Sequence, residues 1–336
     1  MKRIEISQYG VPEDVARCVE APDLGPPADD EVVFKVLAFP INPADVWFCR
    51  GMYRLKPPLP AVPGAECVGR VEAVGSKVTH VALGDLVINL QRENWATHRK
   101  VRGEDVIRIP ADIDLRQAAM LRINPPTAHL LLSEIVDLQP GEWIIQNAAN
   151  SGVGRLVINF ARQRGLRTVN LARRDEIFPE LQALGADVCL VDGPDLAARV
   201  REATGDAPIR LGIDAVGGMA TARMGACIAE GGVVCNYGAM SDEEPVFGRA
   251  ELIFRDVSLV GLMLGRSLAR LSRQEVEALY DELATMLRDG RFNVPVERVY
   301  PIEEIAEALR HTQRAAHNGK VLVAPNGVEM LAGASR

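Results

Sequence analysis

No pair of cysteines in this chain stands at C-x-x-C spacing. The six it has, Cys18, Cys49, Cys67, Cys189, Cys227 and Cys235, occur singly and mostly inside apolar runs. That excludes a disulfide framework and a structural zinc cluster, and reads as small core residues. Histidine is scarce too: His80, His98, His129, His311 and His317 show no ligand spacing, so no metal is expected. No uninterrupted apolar run approaches a membrane span. The first residues, Met1-Lys2-Arg3-Ile4-Glu5, mix charge into the start of the chain and leave no apolar signal core. A cytoplasmic protein is the expectation. Net positive charge is missing as well, since 38 Lys and Arg face 45 Asp and Glu for a formal −7. No basic field therefore draws nucleic acid or an acidic membrane surface. Internal repeats and low-complexity segments are also absent.

The composition itself is ordinary for a globular protein, 48% hydrophobic and 25% charged, with ample material for a core. The length of 336 residues suggests two domains. The most informative stretch is Ile144-Ile145-Gln146-Asn147-Ala148-Ala149-Asn150-Ser151-Gly152-Val153-Gly154. An apolar run ends in small residues and then opens into helical spacing from Leu156 to Ala161. That is a strand, a tight turn and a helix N-terminus, the arrangement that receives a dinucleotide pyrophosphate. The G-x-G-x-x-G fingerprint reads here as Ala149, Ser151 and Gly154, with Gly152 added. By itself that match is weak, and the alternating strands and helices downstream strengthen it.

After the turn come strands at Arg167–Ala172, Asp187–Val191, Ile209–Val216 and Gly232–Tyr237. Helical segments separate them: Ile177 to Leu184, Leu196 to Ala203, and one opened by Gly217-Gly218 that runs to Ala229. Such alternation builds a doubly wound parallel sheet of the Rossmann type, assigned to residues 121–265. The tip of its second strand selects the cofactor: an acid there suits the ribose hydroxyls of NAD, an arginine the extra phosphate of NADP. Arg173-Arg174 precede the first acid, Asp175, and guanidinium suits phosphate. NADPH is the expected cofactor.

Residues 1–120 read differently. Val32 to Ala38, Cys67 to Gly75 and Val101 to Ile109 are short β-type runs punctuated by Gly and Pro. They suggest an antiparallel, barrel-like β domain. Residues 266–336 return to helix, with a Ser272-Arg273-Gln274-Glu275 capping pattern before Val276 and a stop at Gly290. A second helix from Ile302 to about Arg314 leads to a last strand at Gly319–Val323, and the residues after Pro325 read as a loose tail.

Four segments carry a family resemblance. They are Ile41-Asn42-Pro43-Ala44-Asp45 with Arg50-Gly51-Met52-Tyr53, Asn124-Pro125-Pro126-Thr127-Ala128, Gln146 to Gly154, and Tyr237-Gly238-Ala239-Met240. Over nearly its whole length the chain resembles the zinc-free medium-chain dehydrogenases/reductases, with a GroES-like first domain. Within them it is most similar to the trans-2-enoyl-thioester reductases of the mitochondrial fatty-acid-synthesis type. Zinc-dependent members carry a cysteine where this chain has Asn42, and a Gly-His-Glu where it has Gly64-Ala65-Glu66. Without a Lewis acid, alcohol oxidation loses its main activating device, whereas hydride addition to an activated C=C bond does not.

The resemblance implies a set of roles. Tyr53 is the proton donor to the α-carbon, although on residue type alone a tyrosine at a domain edge is ordinary. Asn124 lies toward the nicotinamide, and Asn150, Ser151, Gly152, Val153 and Gly154 hold the pyrophosphate. Arg173, Arg174 and Asp175 take the adenosine phosphate. Tyr237, Gly238, Ala239, Met240, Leu262, Met263 and Leu264 line the nicotinamide side. Lys320, in Asn318-Gly319-Lys320, reaches the cofactor from the C-terminal segment. The implied substrate is an enoyl thioester on CoA or an acyl carrier protein, and the implied assembly a homodimer. Departures from the family pattern are the order Arg173-Arg174-Asp175, a short Asn89–Trp95 segment, Arg122 in place of a small residue, and Leu262-Met263-Leu264 in place of aromatics. Two other readings stand beside it: a reductase of quinones or other activated alkenes, and a non-catalytic dinucleotide- or RNA-binding protein.

Overall fold

Backbone packing divides the chain into two units, Met1–Ile123 with Arg273–Arg336, and Asn124–Ser272. The structure, a computed structural model, describes residues 1–314 and 319–334. His317 and Asn318 lie outside the described residues.

The second unit holds the expected parallel sheet. Its strands run in the order Val188–Val191, Arg167–Ala172, Trp143–Gln146, Ile209–Asp214, Val233–Asn236 and Ser258–Gly261. Every adjacent pair is parallel. Strand order reverses between Trp143–Gln146 and Ile209–Asp214, the point at which such sheets bind ligands beyond the strands' carboxyl ends. Ile145, Val169, Leu171, Met224, Ile228 and Val234 form its core. The helix Gly152–Gln163 buries Leu156, Val157, Ile158, Phe160 and Ala161. One expected helix is shorter, covering Gly218–Gly225 rather than reaching Ala229. The Ala229 amide instead donates to the Ile209 carbonyl at 2.8 Å, which turns the chain back into the sheet.

The first unit is β-rich, as expected, and is built on a seven-stranded sheet. Glu31–Pro40 pairs with Val68–Val74, with His98–Arg102 and with Lys320–Ala324. The run expected as one strand from Val101 to Ile109 is two, His98–Arg102 and Val106–Ile109, split by a 3₁₀ turn at Gly103–Asp105. Gly103 donates its amide to the Asp30 carbonyl at 2.8 Å. A Cβ there would come within 2.7 Å of Val78 Cγ2, so glycine permits the approach. Just after Pro325 the chain is tied at Asn326, whose side-chain amide donates to the carbonyls of Val36 and Thr97 at 2.9 and 2.8 Å. Among the described residues no helix is long and apolar enough to cross a membrane.

Candidate active site

In the Asn124–Ser272 unit the small-residue turn bridges strand Trp143–Gln146 and helix Gly152–Gln163. Ala148 takes φ +46°, a left-handed conformation uncommon for a non-glycine and imposed here by the tight turn. Ser151 is the helix N-cap and accepts the Gly154 amide at 3.1 Å. At Gly154 a Cβ would lie 2.6 Å from the Ala148 carbonyl oxygen, so glycine lets turn and helix close together. The free amides of this first helical turn and the helix dipole favour an anion.

The turn is fixed from beneath by a buried carboxylate that the sequence motifs do not include. Asp214 accepts the Asn147 side-chain amide and the Thr221 hydroxyl, each at 2.6 Å, and the Asn236 side-chain amide at 2.9 Å. It also accepts the amides of Val216 and Gly217 at 2.9 and 3.2 Å. Asn147 in turn accepts the Ala215 amide at 2.8 Å. One acid thus links the ends of three adjacent strands. A signal for it exists in the sequence, an acid ending the strand beside the glycine turn.

Three buried side-chain atoms of this unit have no hydrogen-bond partner among the described residues: Asn124 Nδ2, Gln146 Oε1 and Tyr237 Oη. Orphaned buried polar groups are rare in folded proteins and mark strain or an absent ligand. Tyr237 has the Ser151 side chain beside it, so the fit to a dinucleotide rests on Asn124, which is assigned above to the nicotinamide side. Burial holds the Tyr237 phenol above its ordinary range, against a weaker opposing pull from the Ser151 side chain. Gly238 lies where a Cβ would meet the Ala215 carbonyl oxygen at 2.8 Å, and Ala239 follows it. Met240 is exposed, Leu262 is buried, and Met263 and Leu264 are intermediate. Arg173, Arg174 and Asp175 come directly after strand Arg167–Ala172 and are all exposed.

In the other unit, helix Pro43–Arg50 ends at Gly51 with φ +71°, where a Cβ would strike the Tyr9 ring at 2.8 Å. This turn delivers Tyr53, whose amide donates to the Trp47 carbonyl at 3.2 Å and whose partly buried ring packs against the core. The Arg92 guanidinium lies 4.8 Å from the Tyr53 ring centroid.

The same helix begins in a cluster of charged groups. Asn42 donates from its side chain to Glu66 Oε1 at 2.8 Å and accepts from the Lys320 ammonium. The Asn42 amide donates to Asp45 Oδ2 at 3.0 Å, and Glu66 Oε2 accepts the Ile123 amide at 2.9 Å. Arg92 stands 3.4 Å from Asp45. Asp45 and Glu66 are fully buried. Burial pushes the Glu66 carboxyl up to about 7, against the pull of Lys320, Asn42 and Arg122. Burial likewise raises Asp45 and lowers Lys320. The unexpected Arg122 has a task here: its guanidinium donates to the carbonyls of Ala65, at 2.6 Å, and Leu90. Lys320, expected at the cofactor, therefore has its ammonium engaged by Asn42 in this cluster.

Residues 28–107 match the alcohol dehydrogenase GroES-like domain, and residues 152–285 the zinc-binding dehydrogenase domain. A mitochondrial enoyl-[acyl-carrier-protein] reductase of Xenopus tropicalis is 34% identical over 91% of this chain and 90% of its own length. The Homo sapiens enzyme of that name is 34% identical over 96% of this chain and 88% of its own. Escherichia coli quinone oxidoreductase complexed with NADPH superposes with a TM-score of 0.88, at 25% identity, over 97% of this chain and 100% of that one. The Etr1p/NADP/crotonyl-CoA complex gives 0.85 over 96% and 99%; at 23% identity it shows the shared fold.

The name of the second matched domain implies zinc, yet the donor set here does not fit one. Asn42 and Ala65 cannot supply a thiolate or an imidazole, a lysine ammonium is bonded to Asn42, and burial pushes the neighbouring Cys67 thiol up to about 12. The expectation of a cytoplasmic protein is corrected, because the relatives are mitochondrial enzymes. A missing apolar signal core misleads on this point, since segments that direct proteins to mitochondria are amphipathic and basic rather than apolar.

Proposed function

The chain belongs to the medium-chain dehydrogenase/reductase family, and from that premise we propose that it reduces the C=C bond of a trans-2-enoyl thioester with NADPH. The observation that carries this reading is the turn Arg50-Gly51-Met52-Tyr53, which holds a partly accessible tyrosine on a chain whose Asn42, standing where the resemblance implies a zinc ligand, is bonded to the Lys320 ammonium. It is supported by the identity, over most of both chains, with enzymes named enoyl-[acyl-carrier-protein] reductase. An acyl carrier protein as the thioester's carrier is the finer reading, supported by the same names.

The cofactor is assigned to the Asn124–Ser272 unit. The turn from Asn150 to Gly154 takes the pyrophosphate, Arg173 to Asp175 the adenosine phosphate, and Asn124, Tyr237 to Met240 and Leu262 to Leu264 the nicotinamide side. NADPH, when bound, supplies a hydride for the β-carbon. The π pair of the C=C bond then moves toward the thioester carbonyl, giving an enolate that the carbonyl oxygen stabilises. Tyr53 donates its O–H proton to the α-carbon, forming the second C–H bond, and its phenolate regains a proton from water. A phenol O–H can serve as the general acid toward a basic enolate. Neither carbon needs a metal, because the substrate's own carbonyl absorbs the charge.

Quinone reduction on the same scaffold is the second reading, favoured by the likeness to the E. coli enzyme. One substitution separates the two. Tyr53→Phe keeps the ring and removes the hydroxyl, so turnover of crotonyl-CoA should fall by ~10²–10⁴-fold, the usual contribution of general acid catalysis. NADPH affinity should hardly move. Quinone turnover should fall less, since a reduced quinone's oxygens take protons from water. Near wild-type crotonyl-CoA turnover in Tyr53→Phe would falsify the assignment.

A further inference from the structure

Arg92 comes from the short Asn89–Trp95 segment, which ties itself up through Asn94: its side chain accepts from Asn89 Nδ2 at 2.7 Å and donates to the Gln91 carbonyl at 2.7 Å. The Arg92 guanidinium stands over two aromatic faces of the same unit, 4.8 Å from the Tyr53 centroid and 5.8 Å from that of Phe48. Its Nη2 lies 3.4 Å from Asp45 Oδ1. Asp45 is fully buried and holds the start of helix Pro43–Arg50 by accepting the Asn42 amide. The arginine is thus anchored at its head by an acid on the first turn of the helix. The same guanidinium reaches the ring of the tyrosine that lies just beyond the helix's last turn.

We propose that Arg92 is a positioning residue for Tyr53, holding the phenol ring by its face and opposing the negative charge left on the oxygen after proton donation. This rests on the reading of Tyr53 as the donor. A partly accessible tyrosine after a glycine turn has rotamer freedom, and a cation at the ring face restricts it. Guanidinium suits the task better than ammonium because it is planar, weakly hydrated and stacks on aromatic rings. In the bland alternative, Arg92 only neutralises buried Asp45.

A double-mutant cycle in turnover of crotonyl-CoA decides between them. Arg92→Gln should lower kcat by roughly 3- to 30-fold, the range an ordinary to desolvated cation–π contact corresponds to, with NADPH affinity unchanged. In a Tyr53→Phe background the same change should cost little more, because the group it acts through is gone. Arg92→Lys keeps a charge beside Asp45 but loses the flat face. It should fold as well as the wild type and fall between wild type and Arg92→Gln in kcat. An equal loss from Arg92→Gln in both backgrounds would overturn the proposal, as would full kcat in Arg92→Lys alongside a destabilised Arg92→Gln. If Tyr53→Phe itself turns over normally, the reading of Tyr53 fails and this inference falls with it. If Tyr53→Phe is slow and the losses multiply, only the role of Arg92 fails.

Discussion

Each unit buries a polar knot under the chain's most informative turns, and the two knots are satisfied by opposite means. In the Asn124–Ser272 unit a single acid, Asp214, is met entirely by neutral donors, two side-chain amides, one hydroxyl and two backbone amides. In the other unit two acids, Asp45 and Glu66, share their surroundings with three cations, Arg92, Arg122 and Lys320, and with the amide of Asn42. The first arrangement uses its hydrogen bonds for geometry, fixing the strand ends that carry the small-residue turn. The second keeps charge in play, and its burial moves the protonation of its members. At Asn42, where the resemblance to zinc-dependent members implies a cysteine, this chain bonds a lysine ammonium instead. The knot is therefore held by ionic contacts and hydrogen bonds rather than by coordination.

The sharpest break of this contrast is Asp214→Ala. Five donors lose one acceptor, and buried donors left unpaired cost ~1–3 kcal/mol each where nothing relaxes to meet them. Partial relaxation puts the total on the order of 3–5 kcal/mol. Thermal unfolding should drop steeply and NADPH binding should weaken with it, since Asn147 sits in the turn itself. A variant that melts with the wild type would show that Asn147, Thr221 and Asn236 find other partners.

The next test asks whether the nucleotide side depends on charge anywhere. Arg173 and Arg174 lie at the exposed end of strand Arg167–Ala172. Charge-assisted hydrogen bonds are worth roughly 1.5–3 kcal/mol each, less at an exposed position. Replacing both by Ala should raise the Michaelis constant for NADPH about 10-fold or more and leave that for NADH nearly unchanged. Equal effects on the two cofactors would mean that neither arginine reads the extra phosphate.

These knots also differ in how far the sequence discloses them. The parallel sheet and its turn are legible because their residues are consecutive: the strand Arg167–Ala172 lies where the β-rich run predicts it, and Ser151 caps the helix it opens. Asp214 is half visible, as an acid ending the strand next to the turn. The charged knot draws on Asn42, Asp45, Glu66, Arg92, Arg122 and Lys320, dispersed over roughly 280 residues and joined only when Lys320–Ala324 pairs with Glu31–Pro40. Single-sequence periodicity carries no record of such pairing. Lys320 is read in the sequence only through the resemblance, which assigns it to the cofactor and not to this cluster, and Arg92 carries no signal inside a segment notable only for its brevity. The missing Cys and His are visible as absences, and Asn42 as the residue at the cysteine position; the ammonium bonded to it is not.

The smallest effect is the one that best characterises the charged knot. Glu66 titrates near a pH of about 7 in the folded chain because burial penalises its carboxylate, and Lys320, Asn42 and Arg122 recover only part of that penalty. In the unfolded chain a glutamate releases its proton near ~4.3. Between these two values the folded state holds a proton that the unfolded state has given up. Stability from this group is therefore greatest below the unfolded value and declines as pH rises toward about 7, then levels off. Asp45, raised by burial as well, acts in the same direction, whereas Lys320 is lowered and acts in the opposite one, its penalty easing as pH rises toward the ordinary lysine value. Glu66→Gln removes the titration and keeps one acceptor oxygen, enough for the Asn42 side chain or the Ile123 amide but not both, a loss that does not vary with pH. Its melting temperature should be flatter than that of the wild type between about pH 5 and pH 7, by ~2 °C or more over a chain of this size. Parallel curves for the two proteins would mean that Glu66 stays ionised throughout, held by Lys320 as a permanent pair. The charged knot would then be one of fixed ionic contacts, set apart from the Asp214 knot only by the charge of its donors.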